Sequence, residues 1–191
     1  MLRTSASRSC KAFFASPKSI LVLGGAASGK SEWAEALAMR LAPRRLYIAT
    51  AQAWDDEMRE KLARHRARRD TTWRTAECTS ATQDALVAAL ASAQPDEAVL
   101  LDCATMWLTN LILAEADLPL AETALFEALS NCAAPVVIVS NEVGQGIVPD
   151  NALSRRFREA QGALNQRLAA HATHVVAVMA GLPLSLKGPL P

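Results

Sequence analysis

Apolar and polar positions along the chain fall into short blocks that alternate between two periods. Leu21-Val22-Leu23 is an unbroken apolar run that stops at Gly24 and Gly25, and from Glu32 to Leu37 the apolar positions return at helical spacing. Pro43 closes that helix, and Arg45-Leu46-Tyr47-Ile48-Ala49-Thr50 reads as a second strand with Thr50 at its carboxyl end. Between Asp55 and Asp70 the chain is polar, with acids first and bases last, the order that a helix dipole favours; an exposed helix is predicted there. Thr79 to Ala93 has Ala and Leu at helical spacing, and Glu97 to Asp102 is an apolar strand ending in an acid. Met106 to Leu113 continues as an apolar helix with Trp107 in the core, Leu120 to Leu129 gives another helix, and Val136 to Ser140 another buried strand.

The loop from Val143 to Pro149 carries two glycines, after which Asp150 or Asn151 is placed to cap a helix. The apolar positions of this helix, Leu153, Phe157, Ala160, Leu164 and Leu168, step by three or four and are expected in the core. His171 and His174 near its end lack a cysteine or acid to share a metal with, and read as partners of the helix dipole. Val175 to Met179 is the last predicted strand, and Gly181 to Pro191 an irregular tail. Strands alternating with helices predict a three-layer α/β fold around a mostly parallel sheet, with ligands at the carboxyl ends of the strands.

Composition narrows this picture. A length of 191 residues with 51% hydrophobic content suits one domain, expected to span 19–191. Residues 1–18 carry four bases and no acid, superficially like a transit peptide, and are expected to be a disordered leader or the product of an upstream start codon. The net charge of +1 supplies no general attraction to nucleic acid or an anionic membrane, and no apolar run approaches the ~20 residues that cross a bilayer. Cys10, Cys78, Cys103 and Cys132 form no paired spacing, which argues against a zinc knuckle or a disulfide framework and favours a reducing cytoplasm.

The chemistry concentrates where the first strand meets the first helix. Gly24-Gly25-Ala26-Ala27-Ser28-Gly29-Lys30-Ser31 has the G-x-x-x-x-G-K-S spacing of a phosphate-binding loop. Glycines let backbone approach an anion, and the helix N-terminus points amides at it. Lys30 is then expected on the β and γ phosphates, and Ser31 on the magnesium ion they share. Asp102, at the end of an apolar strand, has the form of the acid that faces this metal, and Asn141-Glu142 follows a further buried strand at the same edge. His65 lies among Arg64, Arg66, Arg68 and Arg69, a cluster able to hold phosphate, although such charge runs are usually solvated faces.

Taken together, these stretches resemble one family, the bifunctional adenosylcobinamide kinase and adenosylcobinamide-phosphate guanylyltransferase of cobalamin biosynthesis. The resemblance runs from about Ser19 to Lys187. It rests on the loop Gly24 to Ser31, on Tyr47-Ile48-Ala49-Thr50-Ala51-Gln52, Asp55-Asp56-Glu57-Met58, Trp73-Arg74-Thr75 and Leu101-Asp102-Cys103, and on Asn141 to Pro149. One departure is Ala27, where the family usually has an arginine.

The resemblance implies a RecA-like phosphate-loop fold, ATP and GTP as substrates, Mg2+ as cofactor, adenosylcobinamide as the corrinoid substrate, and a homotrimer. It implies that His65 is the guanylylated residue and that Lys30 is catalytic. The nucleotide-binding set becomes Gly24, Gly25, Ala26, Ala27, Ser28, Gly29, Lys30, Ser31, Thr50, Glu77 and Asp102, and the metal set Ser31, Asp102 and Glu142. Two other readings share the loop: a small-molecule kinase with a single activity, and a GTP-binding switch without catalysis.

Overall fold

The structure, a computed structural model, describes residues 18–52, 56, 60, 69–80 and 82–191. A seven-stranded sheet organises them. Its strands are β1 Ser19–Gly24, β2 Arg44–Ala49, β3 Trp73–Glu77, β4 Glu97–Asp102, β5 Val136–Asn141, β6 His174–Met179 and β7 Leu182–Lys187. The spatial order is β3-β2-β4-β5-β1-β6-β7, parallel throughout except that β7 runs antiparallel to β6.

The parallel strands are apolar on both faces because both are covered. Along β1, Leu21 packs into one core while Ile20 and Val22 pack into the other, as the twofold alternation of a strand requires. The first core is closed by α2 Asp84–Ala91, α3 Ala104–Leu113, α4 Leu118–Asn131 and α5 Ala152–His171, and Trp107 lies inside it. The second is closed by α1 Lys30–Leu41 through Ala34, Leu37 and Ala38. Three layers result. The strand carrying Asp102 is separated from the phosphate-loop strand by β5 alone, the spacing of a RecA-like sheet.

Several expectations need correction. The tail beyond Gly181 is no irregular segment: Ala180 (φ 51°) and Gly181 (φ 78°) form a tight left-handed turn, and β7 returns from it as an edge strand. Pro183 reads as a breaker in sequence, yet an edge strand tolerates the missing N–H. Edge position also accounts for β3, whose mostly exposed residues show no apolar run. The helix expected from Thr79 starts only at Asp84. Leu153 is 51% exposed and outside the core, being in the first turn of α5, whereas Leu164 and Leu168 are fully buried. Asn151 is the residue that caps α5, accepting from Ser154 N at 2.8 Å. His171 ends that helix, but burial and the nearby Lys18 and Lys187 lower its pKa; His174 already belongs to β6. Of the helix expected at Asp55–Asp70, Asp56 and Glu60 are helical and the rest up to 68 lies outside the described residues, as does the leader 1–17.

Candidate functional site

The phosphate loop joins β1 to α1 and is shaped by its main chain. Ala27 (φ 54°) and Gly29 (φ 89°) are left-handed, the geometry by which a short loop turns successive amides to one side. Gly24 has no room for a side chain, since a Cβ would meet Ser28 Oγ at 2.3 Å and the Val178 carbonyl oxygen at 2.7 Å. Gly29 caps α1 without any side-chain hydrogen bond, so no cap occupies the first amides of that helix. An anion there receives backbone N–H groups and the positive end of the dipole.

The β6–β7 turn holds this loop from outside. Gly181 N donates to Ser28 O at 2.8 Å, and a Cβ on Gly29 would lie 3.0 Å from Gly181 Cα. Between loop and hairpin lies a cavity of about 460 Å3, with Ala177, Val178, Ala180 and Leu186 on its apolar side and Glu142 and Gln145 supplying polar groups. Lys30 folds back on the loop, its Nζ donating to Gly25 O at 3.1 Å. Glu142 is tied to the same place: its N donates to Gly24 O at 3.1 Å and its Oε1 accepts from Gly144 N at 2.7 Å.

Asp102 ends β4 at the same sheet edge, opposite Ala49 of β2 and Val139 of β5. Its Oδ2 accepts from the Tyr47 hydroxyl at 3.3 Å. Thr50 directly follows β2 at this edge. It is fully buried, and its hydroxyl donates to Cys103 O at 2.7 Å and accepts from Cys103 N at 2.9 Å, while its carbonyl accepts from Asn110 Nδ2 at 2.9 Å. These bonds fix the turn that follows Asp102. The Cys103 thiol is pushed up to about 11 by burial and by the Asp102 charge, which keeps it protonated and unreactive near neutral pH. Glu77 ends β3 beside Ala49, exposed at the outer end of the edge. His65 lies outside the described residues.

A second layer braces β5. Ser140 Oγ donates to Asn165 Oδ1 at 2.6 Å, Gln161 Nε2 bonds both of these groups, and Asn165 Nδ2 donates to Asn141 O at 3.0 Å. Thr105 Oγ1 accepts from Asn141 N at 2.8 Å. On the loop that follows, Arg158 donates to Gly144 O, and Arg155 to Pro149 O at 3.0 Å. Sequence reasoning missed Gln161, Asn165, Tyr47 and Gly181. The two amides sit on a helix whose apolar stripe drew the attention, where a polar residue at core spacing is the usable signal.

Among the described residues no group of three or more His, Cys, Asp or Glu gathers as an all-protein cage, and Mg2+ characteristically takes one or two carboxylates together with substrate phosphates.

The sequence profile of the cobinamide kinase / cobinamide phosphate guanyltransferase family matches residues 20–186. The chain belongs to this family. It is 45% identical over 183 residues to the bifunctional adenosylcobalamin biosynthesis protein CobU of Salmonella typhimurium, covering 88% of this chain and 99% of that protein. It is 46% identical over 171 residues to CobP of Pseudomonas aeruginosa, covering 88% and 96%, and 42% identical over 183 residues to CobU of Escherichia coli, covering 88% and 99%. Among solved structures, an ATPase of a bacterial type III secretion system superposes with a TM-score of 0.54 at 11% identity, over 88% of this chain and 56% of that one. That likeness concerns the fold alone and bears out the phosphate-loop architecture. Family membership makes the chain a kinase and guanylyltransferase, and removes the reading as a switch without catalysis. No helix among the described residues is long and apolar enough to cross a membrane.

Proposed function

We propose that the chain catalyses two successive steps on one corrinoid. In the first, the hydroxyl of the aminopropanol arm of adenosylcobinamide attacks the γ-phosphorus of ATP or GTP; the bond to the β-phosphate oxygen breaks and the nucleoside diphosphate leaves. In the second, an imidazole nitrogen of His65 attacks the α-phosphorus of GTP and pyrophosphate leaves. The phosphate of adenosylcobinamide phosphate then takes the GMP from the P–N bond and frees the histidine.

The observation that carries the reading is the uncapped α1 N-terminus behind a left-handed loop, facing the same sheet edge as Asp102 in a member of this family. Main-chain amides and Lys30 bind the triphosphate and meet the charge that develops on it, the usual source of catalysis in phosphoryl transfer. Ser31 and Asp102, with Glu142 as a third candidate, would hold Mg2+, which neutralises phosphate charge when bound. The cavity beside the hairpin offers room for the rest of the nucleotide. Ala27 leaves anion binding to the backbone where an arginine is usual. The assembly is a homotrimer working in the cytoplasm, in keeping with the family resemblance and with cysteines 78, 103 and 132, which are free thiols.

His65 is the sole histidine of its segment, and its neutral form, abundant near its ordinary pKa of about 6.5, is the nucleophile. The neighbouring arginines disfavour protonation and offer forked donors to phosphate. The test uses GTP labelled at the α-phosphate. Denatured protein should retain an acid-labile, alkali-stable label, and His65→Ala should lose both label and transferase reaction while still phosphorylating the corrinoid. A label that persists in the mutant moves the nucleophile elsewhere.

A further inference from the structure

Asp102 is held by a side chain to which the reaction scheme above gives no role. Tyr47 lies on β2, two residues before the partner of Asp102 in the β2–β4 register, and is 6% exposed. It packs in the α1-side core with Ala34, Leu37 and Leu100. Its hydroxyl donates to Asp102 Oδ2 at 3.3 Å. Its ring has two further neighbours: Trp73 of β3 meets it edge-on, with centroids 6.5 Å apart and planes at 72°, and the Arg69 guanidinium carbon sits 3.5 Å from its centroid. Arg69 stands at the end of the basic run that carries His65.

We propose that Tyr47 is the positioning residue for Asp102, and that Arg69, stacked on the Tyr47 ring, fixes the ring that holds that carboxylate. The proposal rests on the reading of Asp102 as a metal-holding acid. A carboxylate at a strand end can rotate about its last bond, and an acid that meets a metal correctly in only one orientation loses affinity to that freedom. Holding one of its two oxygens removes the rotation. The tyrosine suits this task because its ring is buried and only its hydroxyl reaches the carboxylate. Arg69 sets the ring by a cation–π contact. Coupling follows by linkage: whatever moves Arg69 changes metal affinity at Asp102, and metal binding at Asp102 acts back on Arg69.

Tyr47 is the only tyrosine of the chain, so global replacement by 3-fluorotyrosine places a single fluorine at this contact. Its 19F resonance should shift on Asp102→Asn and on Arg69→Ala in the full-length protein; a resonance blind to both would overturn the proposal even if other variants fold badly. In parallel, Mn2+ binding to the complex with a β,γ-imido nucleoside triphosphate is read by electron paramagnetic resonance. Tyr47→Phe should weaken Mn2+ about fivefold to tenfold, leaving metal-free nucleotide affinity unchanged. Arg69→Ala should weaken it less, with no further loss in the Tyr47→Phe background, as expected of residues acting through one contact. Full Mn2+ affinity in Tyr47→Phe beside weakened affinity in Asp102→Asn would overturn the positioning role and spare the metal assignment. Full affinity in Asp102→Asn would instead overturn the metal assignment itself.

Discussion

The two ends of the ligand-facing edge are built from different material. At the phosphate end the shape is made by main chain: left-handed Ala27 and Gly29, a Gly24 without room for a Cβ, and a Gly181 amide donating to Ser28 O. At the acid end it is made by side chains: the Thr50 hydroxyl bonded twice to Cys103, Asn110 on the Thr50 carbonyl, and Tyr47 on Asp102. A main-chain site tolerates sequence change wherever φ and space allow, which is how Ala27 can stand in place of an arginine and leave the cradle intact. A side-chain site fails one group at a time.

The sharpest break in this comparison comes from the one side chain at the phosphate end that main chain cannot replace. Lys30→Ala should lower corrinoid phosphorylation by at least ~100-fold, the scale of losing one preorganised donor to developing charge, with the thermal midpoint little changed. Steady-state rates at saturating nucleotide check it, and a mutant within a few-fold of wild type would sink the assignment. At the acid end, Thr50→Val keeps the shape but leaves the part-buried Cys103 N–H and carbonyl without their partner, at a cost of about 1–3 kcal/mol in stability. Urea denaturation should show this as a lower midpoint.

The hairpin brace should register more gently. Gly181→Ala has open space but must hold φ 78°, a strain of about 1–2 kcal/mol for a residue with a Cβ. Nucleotide affinity should fall several-fold, and Gly181→Asn, which tolerates left-handed geometry better, should recover part of it. A drop in stability without change in affinity would detach the turn from the loop.

The smallest effect lies away from both ends. Glu97 is 3% exposed and is held below the usual carboxylate range, first by the Arg74 hydrogen bond, with bonds of 2.8 Å to both of its oxygens. Because its folded pKa is depressed, its contribution is fully present above the ordinary value of 4.5 and is lost as pH falls through the lowered one. Melting curves of wild type and Glu97→Gln should therefore differ at pH 7 and converge in acid.

Much of this architecture was legible because parallel strands buried on two faces must be continuous apolar runs. Leu21 to Leu23, Leu46 to Ile48, Val99 to Leu101 and Val136 to Val139 announce themselves that way, and they bring Gly24, Thr50, Asp102 and Asn141 to one edge. Edge strands obey no such rule: β3 and β7 need to be apolar on one side at most, and Pro183 is tolerated where no partner asks for an N–H. The bonds that Thr50 makes were not legible, because position at a strand end says nothing about which way a hydroxyl turns, and its partner Cys103 lies on another strand's turn. Gly181 could not be linked to the phosphate loop from sequence, since that contact joins opposite ends of the described chain.

That last contact orders events during synthesis. β1 is the first described strand to leave the ribosome, yet its neighbours in the sheet are β5 and β6, and the loop it carries leans on the turn after β6. An apolar strand and its glycine-rich loop therefore wait, unpaired, while most of the domain is made, a period in which the nascent chain is open to misassociation. Nucleotide, which stabilises whatever it binds by mass action, should favour molecules whose hairpin has already closed on the loop.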